Sequence, residues 1–173
     1  MKRIITATVQ DRSGVLYRVT GLLQRRQFNI ESISVGPTET EGISKMTLVV
    51  EVEDEQRLEQ VTKQLNKQID VLKVSDITDK AIVARELALI KVASSSQLRS
   101  EINGIIDPFR ALIIDVSKDS LAIQITGRPD KIDALIELLR PYGIKEIART
   151  GLTALQRGHQ PQVNELAAHA LLK

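Results

Sequence analysis

The sequence predicts an α+β chain made of two successive units, each of order βαββαβ. Three observations carry this: β-branched runs alternate with stretches whose apolar residues recur at helical spacing, the alternation has the same order in residues 1–77 and 78–158, and turn residues separate most steps. That order folds into an antiparallel, ferredoxin-like sheet with two helices on one face. Two tandem sheets of this kind are the expected architecture, followed by a tail at 159–173.

In the first unit Ile4 to Val9 reads as a strand, and Asp11-Arg12-Ser13-Gly14 as a turn whose Ser13 is an N-cap candidate. Val15, Leu16, Val19, Leu22 and Leu23 then mark one face of a helix, with Arg18, Gln24 and Arg25 off that face. From Ile30 the period falls to two until Gly36-Pro37 closes the strand. Thr38 to Gly42 is a polar turn, Met46 to Val52 a strand, and Asp54 caps a helix carrying Leu58, Val61 and Leu65. Ile69 to Val74 completes the unit, and Asp76 to Val83 is the junction.

The second unit opens with a strand from Glu86 to Ala93. Ser94-Ser95-Ser96 offers caps for a helix bearing Leu98, Ile102, Ile105 and Ile106, with Pro108 just past it. Ala111 to Val116 and Leu121 to Thr126 form a hairpin around residues 117–120, and Pro129 suits the first position of a helix that buries Ile132, Leu135, Ile136 and Leu139. Ile144 to Ala148 ends the pattern. No residue-level repeat links the units, so the repetition is architectural. The tail is polar at Gln160-Pro161-Gln162 and then suggests a short helix at Asn164 to Leu172.

Composition narrows the chemistry. The 173 residues are 42% hydrophobic and 27% charged and contain no Cys and no Trp, while both His, at 159 and 169, fall in the tail. A thiol nucleophile, a disulfide framework, a thiolate metal site and a His-based triad in the body are excluded, and a reducing compartment is permitted. Residues 1–76 carry 11 charges of each sign, and the remainder 13 basic against 11 acidic. No segment is a basic footprint, and two Tyr and two Phe offer few stacking platforms, so nucleic acid is not an expected partner. Met1-Lys2-Arg3 runs directly into Ile4 to Val9, too short for a signal-peptide core, and no run approaches the roughly 20 apolar residues of a membrane span. The expected location is the cytoplasm, with no membrane contact and no metal site.

The segment richest in binding potential is Asp11-Arg12-Ser13-Gly14-Val15-Leu16. The first N–H groups of a helix lack intrahelical partners and sit at the positive end of its dipole, so a small carboxylate suits them. Gly14 leaves the backbone open to approach, Asp11 can accept from an ammonium, and Asn29, after the helix, can add a donor or an acceptor. Together these groups could read an α-amino acid. On spacing alone, such a turn is more often that of an ordinary capped helix.

Asp11-Arg12-Ser13-Gly14-Val15-Leu16, with Val19, Leu22 and Asn29-Ile30-Glu31-Ser32-Ile33, resembles the ACT domain, an amino-acid-binding regulatory module of βαββαβ order. The longer string Asn29 to Glu39 resembles the small regulatory subunits of acetolactate synthase, as does Ile147-Ala148-Arg149-Thr150-Gly151-Leu152-Thr153-Ala154-Leu155-Gln156-Arg157-Gly158. The resemblance spans about residues 1 to 158. It implies a chain with no catalytic residues or cofactor of its own, partnered with a large catalytic subunit that holds thiamine diphosphate, Mg and FAD. It further implies a homodimer and feedback inhibition by valine or another branched-chain amino acid. The effector site it implies comprises Asp11, Gly14, Val15 and Leu16, with Asn29 and Ile30 approaching from the partner chain. A stand-alone amino-acid sensor acting on a different partner is the alternative. Three positions depart from the pattern: Tyr17 stands where a small residue is common, Gln27 where Gly is common, and Asp11 where some relatives have Asn.

Overall fold

The computed structural model describes residues 1–158, so both His and the helix expected at 164–172 lie outside the described residues. The chain divides into two compact units, one comprising Met1–Val83 with the chain from Leu152, the other Ala84–Gly151.

The first unit runs β1 (Lys2–Gln10), α1 (Val15–Arg25), β2 (Asn29–Pro37), β3 (Ile43–Glu51), α2 (Glu55–Asn66) and β4 (Val71–Asp76). Its sheet has the order β2-β3-β1-β4 with every pair antiparallel, as the ferredoxin-like reading requires. Alternation along β1 and β3 sends Ile5, Ala7, Val9, Met46, Leu48 and Val50 into one core with Val19, Leu22 and Leu23 of α1 and Val61 and Leu65 of α2. Each fully buried aliphatic side chain there contributes about 1.5–3 kcal/mol relative to exposure. Asp54 caps α2 as expected, its carboxylate accepting the Arg57 N–H at 2.7 Å.

Two helix starts differ from the sequence reading. Gly14, not Ser13, is the N-cap of α1, and no side chain caps it. The reason is local: the Val15 N–H closes a turn on the Arg12 carbonyl at 3.3 Å, Gly14 takes the left-handed conformation at φ 84°, and Ser13 is left inside the turn. Likewise Ser94-Ser95-Ser96 does not cap the next helix. The Ser94 hydroxyl donates to the Ser95 carbonyl, and the helix begins at Arg99 with Leu98 as an N-cap lacking a side-chain bond.

The second unit contains most of β5 (Ile82–Ala93), then α3 (Arg99–Ile106), β6 (Leu112–Val116), β7 (Ser120–Gly127), α4 (Pro129–Leu139) and β8 (Ile144–Arg149). The strand order β6-β7-β5-β8 repeats that of the first sheet, and Ile102, Ile106, Ile132, Leu135, Ile136 and Leu139 cover one face.

The sequence pattern gave no sign of β9 (Thr153–Gln156). It packs with the first unit on the face of the sheet opposite the helices. The Leu152 N–H reaches Ser32 Oγ at 3.4 Å, the Ala154 N–H reaches Thr47 Oγ1 at 3.5 Å, and the Thr153 and Ser34 hydroxyls bond at 2.8 Å. Leu152, Ala154, Thr6, Thr47 and Val49 are all buried.

Candidate functional site

The loop between β1 and α1 is fastened on both sides. The Gln10 N–H donates to the Asp70 carbonyl ahead of β4, and the Asp11 N–H to the Gly42 carbonyl of the β2–β3 turn, each at 2.8 Å. The Asp11 side chain is exposed. No hydrogen bond among the described residues takes up the N–H groups of Ser13, Gly14, Leu16 or Tyr17, so the start of α1 retains the unpaired donors expected of it. Leu16 is 45% exposed beside them, whereas Val15 is buried in the core and its N–H is already bonded to the Arg12 carbonyl.

Arg18 is a constituent of this loop that the helical pattern placed merely off the apolar face. Its Nη2 donates to Asp70 Oδ2 at 2.5 Å, and the Asp70 side chain is only 9% exposed. Its Nη1 lies 3.0 Å from where a Cβ on residue 14 would stand. Glycine suits position 14 chiefly for its φ of 84°, since a Cβ there would have to move only the tip of the flexible Arg18 side chain. The signal that could have found Arg18 is its position four residues after Gly14, one turn along the same helix face.

Asn29 and Ile30 lie elsewhere in the chain. Asn29 pairs across the sheet with Glu51, which pairs with Lys2, while Asp11 follows Gln10 at the other end of β1. Nine residues of extended strand separate the two levels, roughly 30 Å at about 3.3 Å per residue. One copy thus brings Asp11, Gly14, Val15 and Leu16 together and holds Asn29 and Ile30 apart from them. The latter pair line a cavity of about 490 Å³ with Thr20, Gln24, Gln27 and Phe28. Leu16, Thr20 and Gln24, spaced four apart, form the helix stripe joining the two ends. The Asn29 amide donates to Glu51 Oε2 at 2.9 Å.

Residues 5–73 match the family described as AHAS small subunit-like ACT domain, and residues 85–158 match the small subunit of acetolactate synthase. The acetolactate synthase small subunit of Bacillus subtilis (strain 168) is 66% identical over 164 residues, 95% of either chain. The chain belongs to the acetolactate synthase small-subunit family. The probable small subunit of Methanothermobacter thermautotrophicus is 54% identical over 156 residues, covering 90% of this chain and 92% of that one. The crystal structure of the acetolactate synthase small subunit from Thermotoga maritima superposes with a TM-score of 0.84 at 38% identity, over 92% of this chain and 99% of that one. As a small subunit of this family, the chain carries its ACT domain at the N-terminus, which is the unit that contains Gly14 and Asn29. Among the described residues no group of three or more His, Asp or Glu side chains could hold a metal ion, and no helix is long and apolar enough to cross a membrane.

Proposed function

We propose that this chain is the regulatory partner of a large catalytic subunit that condenses pyruvate with pyruvate or 2-oxobutyrate. In this reading thiamine diphosphate, Mg and FAD belong to the large subunit, and the complex works in the cytoplasm. The small subunit raises the activity of its partner and makes it sensitive to valine or another branched-chain amino acid.

The observation that carries the effector site is the separation of Asp11 from Asn29 within one sheet. β2 is an edge strand, and its outer side pairs with no other strand among the described residues. A twofold axis at Ile33 pairs β2 antiparallel with its own copy and sets Asn29 beside the other copy's Pro37. Pro37 is level with Ser44 and so with Val9, two residues before Asp11. Each of two symmetric sites then receives the segment Asp11, Gly14, Val15 and Leu16 from one copy, and Asn29 and Ile30 from the other. The amino-acid carboxylate meets the free N–H groups of α1, the ammonium meets Asp11, and the aliphatic side chain lies against Leu16.

Binding there favours the dimer state that activates the large subunit less, by no more than the effector's differential affinity for the two states. Residues 78–158 are assigned to the contact with the large subunit. This is supported by the edge strand β6, whose Leu112, Ile114 and Val116 are 61%, 49% and 55% exposed.

Calorimetry of the full-length chain with valine, leucine and isoleucine, with and without Gly14→Asp, checks the site. The substitution puts a carboxylate where the ligand's carboxylate belongs, and an affinity loss of about tenfold or more is expected. An unchanged affinity sinks the site. A rise in acetolactate formation on mixing with the large subunit is the expected sign of the partnership. No change at saturating small subunit supports the stand-alone sensor instead.

A further inference from the structure

Each unit holds its strand-to-helix loop by the same two bonds. In the first they are Gln10 N–H to Asp70 O and Asp11 N–H to Gly42 O. In the second they are Ala93 N–H to Gly143 O at 2.8 Å and Ser94 N–H to Asp119 O at 3.0 Å. Strand end, hairpin turn and helix start thus meet at an equivalent place in both units, although the residue types differ.

In the second unit this place is a recess of about 560 Å³, open to solvent, whose lining includes Ala93, Leu98, Lys118 and Asp119. That size lies within the range of small-molecule sites. The Lys118 ammonium has no hydrogen-bond or ion-pair partner among the described residues. Asp119 beside it accepts Lys145 Nζ at 2.6 Å, and this hydrogen bond chiefly holds its carboxyl below the usual range, so it is ionised. A carboxylate so engaged still has lone pairs for a second donor. Leu98 is 37% exposed despite being apolar and supplies a greasy wall with Ala93. The hairpin is held in place by α3, since Arg99 Nη2 donates to the Ser117 carbonyl at 2.7 Å.

We propose that this recess is a second ligand site, for a small apolar α-amino acid. Lys118 takes the carboxylate, Asp119 takes the ammonium, and Leu98 with Ala93 receives the side chain. A 2-oxo acid of the same carbon skeleton fits less well, because it brings no donor to Asp119 and displaces water from that carboxylate. The choice of an amino acid rests on the pairing of free cation, anion and apolar wall, and it stands whether or not the first unit binds an effector.

The test is calorimetric titration of the full-length chain with L-valine and, as a separate arm, 2-oxoisovalerate. The chains compared are the parent, Gly14→Asp, Lys118→Glu and the double variant. Two classes of valine site are expected in the parent and one in Gly14→Asp. Lys118→Glu, on an exposed hairpin, should weaken the remaining class by about tenfold or more, and Leu98→Ser should weaken it as well. The oxo acid should bind this class less tightly than valine. The proposal is overturned if Gly14→Asp abolishes all valine binding, if neither Lys118→Glu nor Leu98→Ser affects any class, or if the oxo acid binds as tightly. Failure of the effector reading alone looks different: parent and Gly14→Asp then share one class, which Lys118→Glu removes.

Discussion

Gln27 bears the backbone strain that a glycine would relieve. It adopts φ 59° just after α1, where the Phe28 N–H returns to the Leu23 carbonyl at 3.1 Å and the Gln27 N–H to the Gln24 carbonyl at 2.9 Å. This is a Schellman closure, completed by buried Phe28 and Leu23. Gln27→Gly should therefore stabilise the protein by about 1 kcal/mol, seen as a higher urea midpoint at unchanged slope. The left-handed position was legible in the sequence as the departure of Gln27 from a common Gly. The pairing of Arg18 with Asp70 was not, because the two lie 52 residues apart and helical spacing reports only which side chains leave the core.

Helices and strands owe their positions to apolar periodicity, which is why the buried face of α4 matches the sequence reading residue for residue and those of α1 and α2 differ from it only at Leu16, which is exposed, and Leu58, which is partly buried. Helix starts are less legible, since a serine before a helix competes with turn geometry, as Ser13 and Ser94 show. β9 escaped because Thr153–Gln156 is too short to display a period of two against the surrounding polar residues. One clamp between elements was invisible for a different reason. Arg149 of β8 grips Glu86 of β5 with a two-pronged hydrogen bond at 2.5 and 2.8 Å and Asp133 of α4 at 2.7 Å. The Glu86 side chain is nearly buried, and its hydrogen bond is the main reason the Arg149 pKa is raised. Arg149→Ala leaves that carboxylate without its cation and should cost about 3 kcal/mol, with Arg149→Lys recovering only part because it lacks the fork. Chemical denaturation of both variants measures this.

At the scale of the molecule, the proposed effector residues could be named from the sequence, but not the fact that one copy holds Asn29 and Ile30 apart from the others. Asp11 and Asn29 look like neighbours in sequence, yet the sheet sends them to opposite ends, and in the proposed dimer a second copy brings them together. The division of the chain was also only partly legible, because residues 152–158 return to the first unit. Leu152→Ala should destabilise that unit by about 2–3 kcal/mol. Hydrogen exchange should then quicken at Thr47 and Val49 and leave β7 protected.

The Arg157 N–H donates to the Ala81 carbonyl at 2.7 Å, so the outgoing and returning strands of the first unit lie side by side. In covalent terms the second unit is a cargo carried on a loop with adjacent stems, not a bead on a string. A fragment ending at Ile77 would accordingly be an unlidded half, its Thr47 and Val49 bare to water. To express the N-terminal unit intact, the excision must spare both stems and rejoin them.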